Sequence, residues 1–197
     1  MISPIEIFRD YWEQARSLGD ANAAYCSLAT VSKDGQVSTR TLVLREVTDD
    51  SFVIYINNTS PKWKHVSHSN HIEILVFWPS LMHQYRIRGE LESIPKETMR
   101  LHWANKPYDS KIIDNYYTDY QPESSVLDSK DTMLAGITNL KNSYPKDADV
   151  PFPSNVEGVR IKANYIEIWQ GSIADQVHER HLYRLSSNRW ERSTLVP

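Results

Sequence analysis

This chain of 197 residues contains little cysteine and little glycine, and its positive and negative charges nearly balance. Cys26 is the single cysteine, so no disulfide can form within the chain, and its apolar neighbours indicate a buried, inert thiol in a reducing compartment. The 22 basic and 25 acidic residues give a net charge of -3, which argues against a protein that binds the nucleic-acid backbone. Six glycines without a phosphate-loop pattern argue against a P-loop or Rossmann nucleotide site.

Long apolar runs are missing as well. Residues 74–78 form an apolar stretch of core-strand length, far below the roughly 20 residues that a membrane helix needs. The N-terminus lacks the basic region and apolar block of a secretory signal. His65, His68 and His71 recur three residues apart without acidic or cysteine partners in a zinc-binding pattern, so we expect no metal. These absences predict a cytoplasmic protein without a membrane or nucleic-acid partner.

Hydrophobic periodicity predicts one helix followed by a series of short strands. Apolar residues recur at helical spacing behind Pro4, which predicts a helix over residues 4–17. Further helices are predicted at residues 96–104 and 129–140. Strands are predicted at residues 23–31, 36–47, 52–56, 72–78, 84–93, 156–169, 180–185 and 190–195. Tight turns such as Asp34-Gly35 favour an antiparallel barrel or sandwich, and we expect a single domain over residues 1–197.

Two stretches in the first half of the chain carry candidate anion-binding residues. Arg40 and Arg45 lie at opposite ends of an apolar strand, where exposure to water is the simpler interpretation of an arginine. Ser60 and Pro61 are typical of a helix start, and Lys62 follows them directly. The amides and the positive dipole end of such a helix make a candidate phosphate site, although many helices begin this way without a ligand.

A second candidate anion site lies near the middle of the chain. His102, Lys106 and Ser110 follow one another within a short segment at the end of a predicted helix. They either bind a second phosphate or serve as ordinary helix-end residues, and the pattern leaves both interpretations open.

A polar segment near the C-terminus adds a further set of side chains. Gln176, His178 and Arg180 alternate along a predicted strand, so their side chains are expected to share one face. Trp169 lies a few residues earlier. An exposed edge strand with a polar outer face is the alternative explanation.

These blocks together resemble those of the pyridoxamine 5'-phosphate oxidases, FMN-dependent enzymes of the split-barrel fold. They follow the family's order along nearly the whole chain. The matching blocks are Arg40-Thr41-Leu42-Val43-Leu44-Arg45, Tyr55-Ile56-Asn57, Ser60-Pro61-Lys62, Gln84, Lys106-Pro107-Tyr108-Asp109-Ser110, Pro151-Phe152-Pro153-Ser154, Ile166-Glu167-Ile168-Trp169-Gln170 and Val177-His178-Glu179-Arg180. The resemblance implies a mainly β fold with flanking helices, the FMN-binding split β-barrel.

The resemblance also implies a role for each matching residue. FMN would be bound by Arg40, Thr41, Leu42, Val43, Leu44, Arg45, Tyr55, Ile56, Lys62, Gln84, Trp169 and Arg180. Within this set, Arg40 and Lys62 would hold the FMN phosphate. The family forms homodimers with FMN at the interface, and the partner subunit would supply Gln84, Trp169 and Arg180. The phosphorylated substrate would be bound by Arg45, His102, Lys106, Ser110, Gln176 and His178. Of these, His178 and Arg45 would be the catalytic residues.

The implied activity is an FMN-dependent oxidation of pyridoxamine or pyridoxine 5'-phosphate to pyridoxal 5'-phosphate, with O2 as the acceptor. The chain departs from the family mainly on the substrate side. Gln176 stands where the family has an arginine, Pro61 replaces a phosphate-binding arginine, and the arm that precedes the first helix is expected to be absent. The alternative is a divergent FMN-binding split-barrel protein that acts on a different substrate or lacks oxidase turnover.

Overall fold

The computed structural model of the chain describes residues 3–197, which form five α-helices and nine β-strands. The helices are α1 (Pro4–Ser17), α2 (Pro61–His68), α3 (Lys96–Ala104), α4 (Tyr108–Asp119) and α5 (Lys130–Ser143), with a short 3-10 helix at Asp147–Asp149. The strands are β1 (Tyr25–Val31), β2 (Val37–Val43), β3 (Glu46–Val47), β4 (Ser51–Asn57), β5 (Ile72–Trp78), β6 (His83–Ile94), β7 (Val156–Gln170), β8 (Glu179–Ser186) and β9 (Arg189–Thr194). No helix in this part of the chain is long and apolar enough to cross a membrane.

Helix α1 begins with a capping box and packs on an aromatic cluster. The Ser3 hydroxyl accepts a hydrogen bond from an N–H of the first turn, and the Glu6 carboxylate accepts one from the Ser3 N–H at 3.0 Å. On the buried face, the Phe8 ring lies between 4.8 and 5.0 Å from the rings of Phe52, Trp78 and Tyr85. The predicted helix over residues 4–17 is confirmed.

The strands follow one another through a single sheet in the order β2-β1-β5-β6-β7-β4-β3, and β8 and β9 continue from β7. Strand β1 pairs with β2 and β5, β5 pairs with β6, and β8 pairs with β7 and β9, all antiparallel. Every second side chain of β1 and β5 is buried, as expected for strands with one face on a core. The prediction of a mainly β protein with helices is confirmed.

Internal contacts divide the chain into two compact units. The first unit comprises the described residues up to Ile54 together with His65–Glu92 and Arg160–Pro197. The second comprises Tyr55–Lys64 and Ser93–Val159. The core of the second unit is formed by Ile112, Tyr116, Leu140 and Val150. The expectation of a single domain over residues 1–197 stays a prediction.

The strand predicted over residues 36–47 is wrong in its continuity, because the structure divides it into β2 and β3. The Leu44 N–H donates to the Ala24 carbonyl at 3.0 Å, next to β1. The Arg45 N–H instead donates to the Val53 carbonyl of β4 at 2.9 Å. The chain changes partner strands between these two residues, and the strand is interrupted at that point. The other predicted strands are confirmed with small differences at their ends.

The single cysteine has the structural character that the sequence predicts. Cys26 lies on β1 with 2% of its surface exposed. Burial raises the pKa of its thiol to about 12, so the thiol stays protonated near neutral pH. The predicted buried, inert thiol is confirmed.

Candidate functional site

A network of charged side chains crosses four neighbouring strands of the first unit. This arginine–carboxylate network consists of Glu73 on β5, Arg86 and Arg88 on β6, Glu167 on β7 and Arg180 on β8. Glu73 accepts hydrogen bonds from the Nε atoms of Arg86 at 2.9 Å and Arg88 at 2.5 Å. Burial raises the pKa of Glu73, but the hydrogen bonds from the two arginines outweigh it, and the pKa lies below its ordinary value. Glu73 is therefore ionised near neutral pH.

Glu167 is the buried centre of this network, with 5% of its side chain exposed. Its Oε1 accepts hydrogen bonds from the Nε and Nη2 atoms of Arg180 at 3.2 and 2.8 Å. Its Oε2 accepts from Nη1 of Arg86 at 3.2 Å and from the Tyr165 hydroxyl at 3.1 Å. A buried carboxylate requires such partners, because burying an uncompensated charge is strongly unfavourable. Arg180, a predicted FMN residue, is thus held by a neighbouring strand.

Trp169, near the end of β7, and His178, directly before β8, lie together. Their ring centroids are 4.9 Å apart. The backbone N–H of Ser172 donates to Nδ1 of His178 at 3.1 Å, so the proton of the neutral imidazole lies on Nε2. A Cβ atom added at Gly171 would lie 2.8 Å from the Trp169 ring, so the glycine allows the close approach of chain and indole. His178 therefore presents an N–H donor beside an aromatic ring.

The expectation that Gln176, His178 and Arg180 share one strand face is wrong. Strand β8 begins only at Glu179, so the first two of these residues precede it. Gln176 has φ +61°, in the left-handed region, which breaks the alternation of an extended chain.

The physical reason is a turn closed by Asp175. Its carboxylate accepts hydrogen bonds from the Ser172 hydroxyl at 2.5 Å and from the Val177 N–H at 3.0 Å. The hydrogen bond from Ser172 holds the pKa of Asp175 below its ordinary value. Inside the same turn, the exposed Gln176 side chain donates to the Ile173 carbonyl at 3.1 Å. These short-range hydrogen bonds thus favour a turn over the extended conformation that the alternating residues predict.

Arg40 is half-buried and donates hydrogen bonds to the neighbouring strand β1. Its Nη1 donates to the Thr30 hydroxyl at 2.7 Å and to the Leu28 carbonyl at 3.1 Å. The Thr30 hydroxyl in turn bonds to Nδ1 of His65 at 2.9 Å. The simpler sequence interpretation, an arginine exposed to water, is therefore wrong for Arg40. The other predicted FMN residues of this unit are Thr41, Leu42 and Val43 on β2, Leu44 and the exposed Arg45 beyond it, and Gln84 on β6.

In the second unit, Lys62 occupies the first turn of α2 and is 5% exposed. Its ammonium lies 2.6 Å from a carboxylate oxygen of Glu123. Ser60 precedes the helix as predicted, but its hydroxyl donates to the Asn57 carbonyl at 2.6 Å. The side-chain nitrogen of Asn57 is buried and has no hydrogen-bond partner among residues 3–197. The start of α2 therefore combines a buried ammonium with a buried amide donor that lacks an acceptor.

Lys106 and Ser110 lie at the start of α4, a helix that was not predicted. Lys106 lies in the link after α3, and Ser110 lies in the first turn of α4. The Lys106 ammonium forms an ion pair with the Asp114 carboxylate in the second turn of α4. Apolar residues that recur four apart after Pro107 were the signal that could have identified this helix.

His102 is exposed on α3 and contacts the end of β4. Its ring meets the Tyr55 ring edge-on, with 6.1 Å between the centroids. Ile56, the next predicted FMN residue, is buried. One predicted substrate residue thus contacts one predicted FMN residue within the second unit.

A family model described as pyridoxamine 5'-phosphate oxidase matches residues 13–141, more than half of the chain. The chain belongs to the pyridoxamine 5'-phosphate oxidase family. A relative from Cytophaga hutchinsonii is 32% identical over 196 residues, which cover 99% of this chain and 89% of the relative. Another from Psychrobacter cryohalolentis is 33% identical over 181 residues, covering 92% and 82%. Both are named pyridoxine/pyridoxamine 5'-phosphate oxidase, and membership of this family makes the chain an oxidoreductase of the oxidase type.

Solved structures show the fold of this pyridoxamine 5'-phosphate oxidase family member. PhzG from Burkholderia lata superposes with a TM-score of 0.88 at 20% identity, covering 99% of this chain and 93% of PhzG. An FMN binding protein from Nostoc punctiforme, described as related to pyridoxamine 5'-phosphate oxidase, superposes with a TM-score of 0.76 at 18% identity over the full length of both chains. The predicted fold class, the FMN-binding split barrel, is confirmed.

Three acidic partners of the predicted site residues were missed. The sequence contains a signal for the pairing of Glu167, because a carboxylate inside an apolar strand is buried only with a cationic partner. The sequence contains no such signal for Glu123 or Asp114. Glu123 meets its lysine across 61 residues of sequence, and Asp114 lies on the helix that was not predicted.

Proposed function

We propose that this family member is an FMN-dependent oxidase that converts pyridoxamine or pyridoxine 5'-phosphate to pyridoxal 5'-phosphate with O2 as the acceptor. The observation that carries the proposal is the presence of lysines at two helix starts of the second unit, Lys62 in α2 and Lys106 before α4. The amides and the positive dipole end of a helix start favour an anion, and a lysine adds charge. A phosphorylated cofactor and a phosphorylated substrate together require two such sites.

The residues at the start of α2 fit the FMN phosphate. The unpartnered side-chain nitrogen of Asn57 supplies a buried donor that requires an acceptor, and the Lys62 ammonium supplies charge. We assign the phosphate to Lys62 and Arg40. The remaining FMN contacts of the proposal are Thr41, Leu42, Val43, Leu44, Arg45, Tyr55, Ile56, Gln84, Trp169 and Arg180.

When bound, FMN would supply the redox chemistry, which is acceptance of a hydride from the substrate C4' carbon and reoxidation by O2. The chain supplies orientation and charge. His178 and Arg45 are the proposed catalytic residues, and His178 orients the substrate by donating from Nε2, since Nδ1 is occupied by the Ser172 N–H. Lys106, Ser110 and His102 are proposed to bind the substrate phosphate, with Gln176 also on the substrate side.

The proposal includes a homodimer with FMN at its interface, in which the partner subunit supplies Gln84, Trp169 and Arg180. It rests on the resemblance of the matching blocks to the family. Sedimentation or light scattering of the FMN-loaded protein tests it, and a monomer at micromolar concentration would contradict it.

A second candidate function is a divergent flavin protein that acts on another substrate or lacks oxidase turnover. Two departures support it: Gln176 lies in an exposed turn, and Pro61 stands where the family has an arginine. PhzG, which has the same fold, was solved in complex with tetrahydrophenazine-1-carboxylic acid, so members of this fold bind ligands other than vitamin B6 phosphates.

The visible spectrum of the purified protein, followed by an oxidase assay, separates the two candidates. We expect a yellow protein, or one that becomes yellow with added FMN, that forms pyridoxal 5'-phosphate and peroxide from pyridoxamine 5'-phosphate. A yellow protein without either product would support the second candidate. A protein that takes up no FMN would contradict both.

A further inference from the structure

We propose that Glu167 is a positioning residue that orients the Arg180 guanidinium so that two of its N–H groups remain directed at a hydrogen-bond acceptor of the bound FMN. The inference rests on the proposed FMN site, because it concerns how one contact of that site is built. No role for Glu167 follows from the family blocks beyond its place in the strand that ends at Trp169.

The bonds of Arg180 within the chain define its orientation. Its Nε and Nη2 atoms both donate to Oε1 of Glu167, at 3.2 and 2.8 Å, and its Nη1 donates to the Val196 carbonyl at 3.1 Å. The guanidinium is thus held by Glu167 through two N–H groups and by Val196 through a third. These three bonds fix both its position and its plane.

An inventory of the donors shows what remains for a ligand. A guanidinium carries five N–H groups in one plane. Three of those of Arg180 are used by partners within the part of the chain that the structure describes. One N–H on Nη1 and one on Nη2 are left, and 29% of the Arg180 side chain is exposed. Such a pair of donors suits a carbonyl or another oxygen acceptor at the edge of a planar ring.

Glu167 can perform this role because it is itself immobilised. Its second oxygen accepts from Nη1 of Arg86 at 3.2 Å and from the Tyr165 hydroxyl at 3.1 Å. Its side chain is 5% exposed, whereas that of Glu73, the other carboxylate of the network, is 23% exposed. A buried, doubly held carboxylate restricts Arg180 before the ligand arrives, so less conformational entropy is lost on binding.

Glu167→Gln tests the inference, with Glu73→Gln as the matched control. Both substitutions remove one carboxylate charge from the same network, but only Glu167 contacts Arg180. We expect the Kd for FMN, measured by quenching of flavin fluorescence, to rise about tenfold for Glu167→Gln and to change less than about twofold for Glu73→Gln. Equal losses in the two variants would overturn the inference, since they would indicate a general loss of network stability.

A double-mutant cycle with Arg180→Ala separates positioning from a structural role. In the Arg180→Ala background, Glu167→Gln should cause no further loss of FMN affinity. A further loss as large as in the wild-type background would overturn the inference. The melting temperatures of the FMN-free variants are measured alongside, and a lower value with an unchanged Kd would also overturn it.

Tyr165→Phe provides a milder perturbation if Glu167→Gln does not fold. It removes one hydrogen bond to Glu167 and keeps the ring beside Arg88. We expect the Kd for FMN to rise about threefold, and an unchanged Kd would overturn the inference. Failure of the proposed function can be distinguished from failure of the inference about Glu167. If the wild-type protein binds no FMN, the proposed function and the inference are both overturned. If it binds FMN and the variants behave otherwise than expected, only the inference is overturned.

Discussion

The cationic residues of the two units are neutralised in different ways. In the first unit, Arg180 shares the buried Glu167 with Arg86 and keeps two of its donors. In the second unit, Lys62 has a compact ammonium that lies against Glu123, and Lys106 lies against Asp114. An arginine fork can bond to a carboxylate on one edge and to a ligand on another, whereas a lysine presents one point of charge.

This difference predicts different behaviour when a ligand binds. The arginine site is oriented in advance, because Glu167 occupies only the Nε–H and one Nη2–H of the guanidinium and leaves further N–H groups for a ligand. At the lysine sites, a phosphate and a carboxylate compete for the same ammonium, and the two anions repel each other. We therefore expect the acidic partners of the lysines to weaken phosphate binding, and Glu167 to strengthen FMN binding through Arg180.

Replacement of Lys62 is expected to have the largest effect. Lys62→Met keeps the apolar stem of a 5% exposed side chain and removes its charge. We expect the Kd for FMN to rise about 50-fold, since a charge-assisted contact to the phosphate is lost. Flavin fluorescence quenching measures the change, and Lys64→Met, an exposed lysine of the same helix, is the control. An unchanged affinity would remove Lys62 from the phosphate site.

Replacement of Lys106 should separate the two phosphates. Lys106→Met is expected to raise the KM for pyridoxamine 5'-phosphate about 20-fold and to leave the Kd for FMN nearly unchanged. Steady-state kinetics at saturating FMN measures this. Lys141→Met is the control, because Lys141 also pairs with an aspartate, Asp109, in an exposed position of the same unit. A parallel loss of FMN affinity would contradict the assignment of separate sites.

Replacement of Glu123 should have two effects of opposite sign. Glu123→Gln removes the carboxylate that competes for Lys62, so the Kd for FMN is expected to fall about fivefold. The same change leaves a buried ammonium without its charge partner, so the melting temperature of the FMN-free protein should fall by about 3 °C. Calorimetry and fluorescence titration of one sample measure both, and Asp128→Asn, an exposed position of the same loop, is the control. Weaker FMN binding would show that Glu123 supports the site.

The sequence predicts most of this fold because its strands and α1 have strong periodicity and clear end signals. The capping box at Ser3 and the burial of alternate residues in β5 are both local, and the sequence shows them directly. The partners of charged residues are harder to predict from the sequence. Glu123 reaches Lys62 through tertiary structure alone, and no local pattern relates the two.

The prediction for the segment before β8 is wrong for a different reason. Alternating residues predict a strand at Gln176, but the Asp175 carboxylate binds the Val177 N–H and the Ser172 hydroxyl and closes a turn. Side-chain to backbone hydrogen bonds of this kind compete with a strand, and a periodicity of two does not detect them. The segment therefore starts its strand at Glu179.

Replacement of Gln176 is expected to have the smallest effect. Gln176→Arg restores the guanidinium that the family has two residues before His178, yet the turn holds this exposed position away from the strand face. We expect the KM for pyridoxamine 5'-phosphate to fall by about threefold at most, as is usual for an exposed charge. Combined with Asp175→Ala, which opens the turn, the same change should lower KM further, with Asp175→Ala alone as the control. A tenfold gain from Gln176→Arg alone would show that residue 176 reaches the substrate without rearrangement, and that the second unit's lysines are not the main determinants of substrate binding.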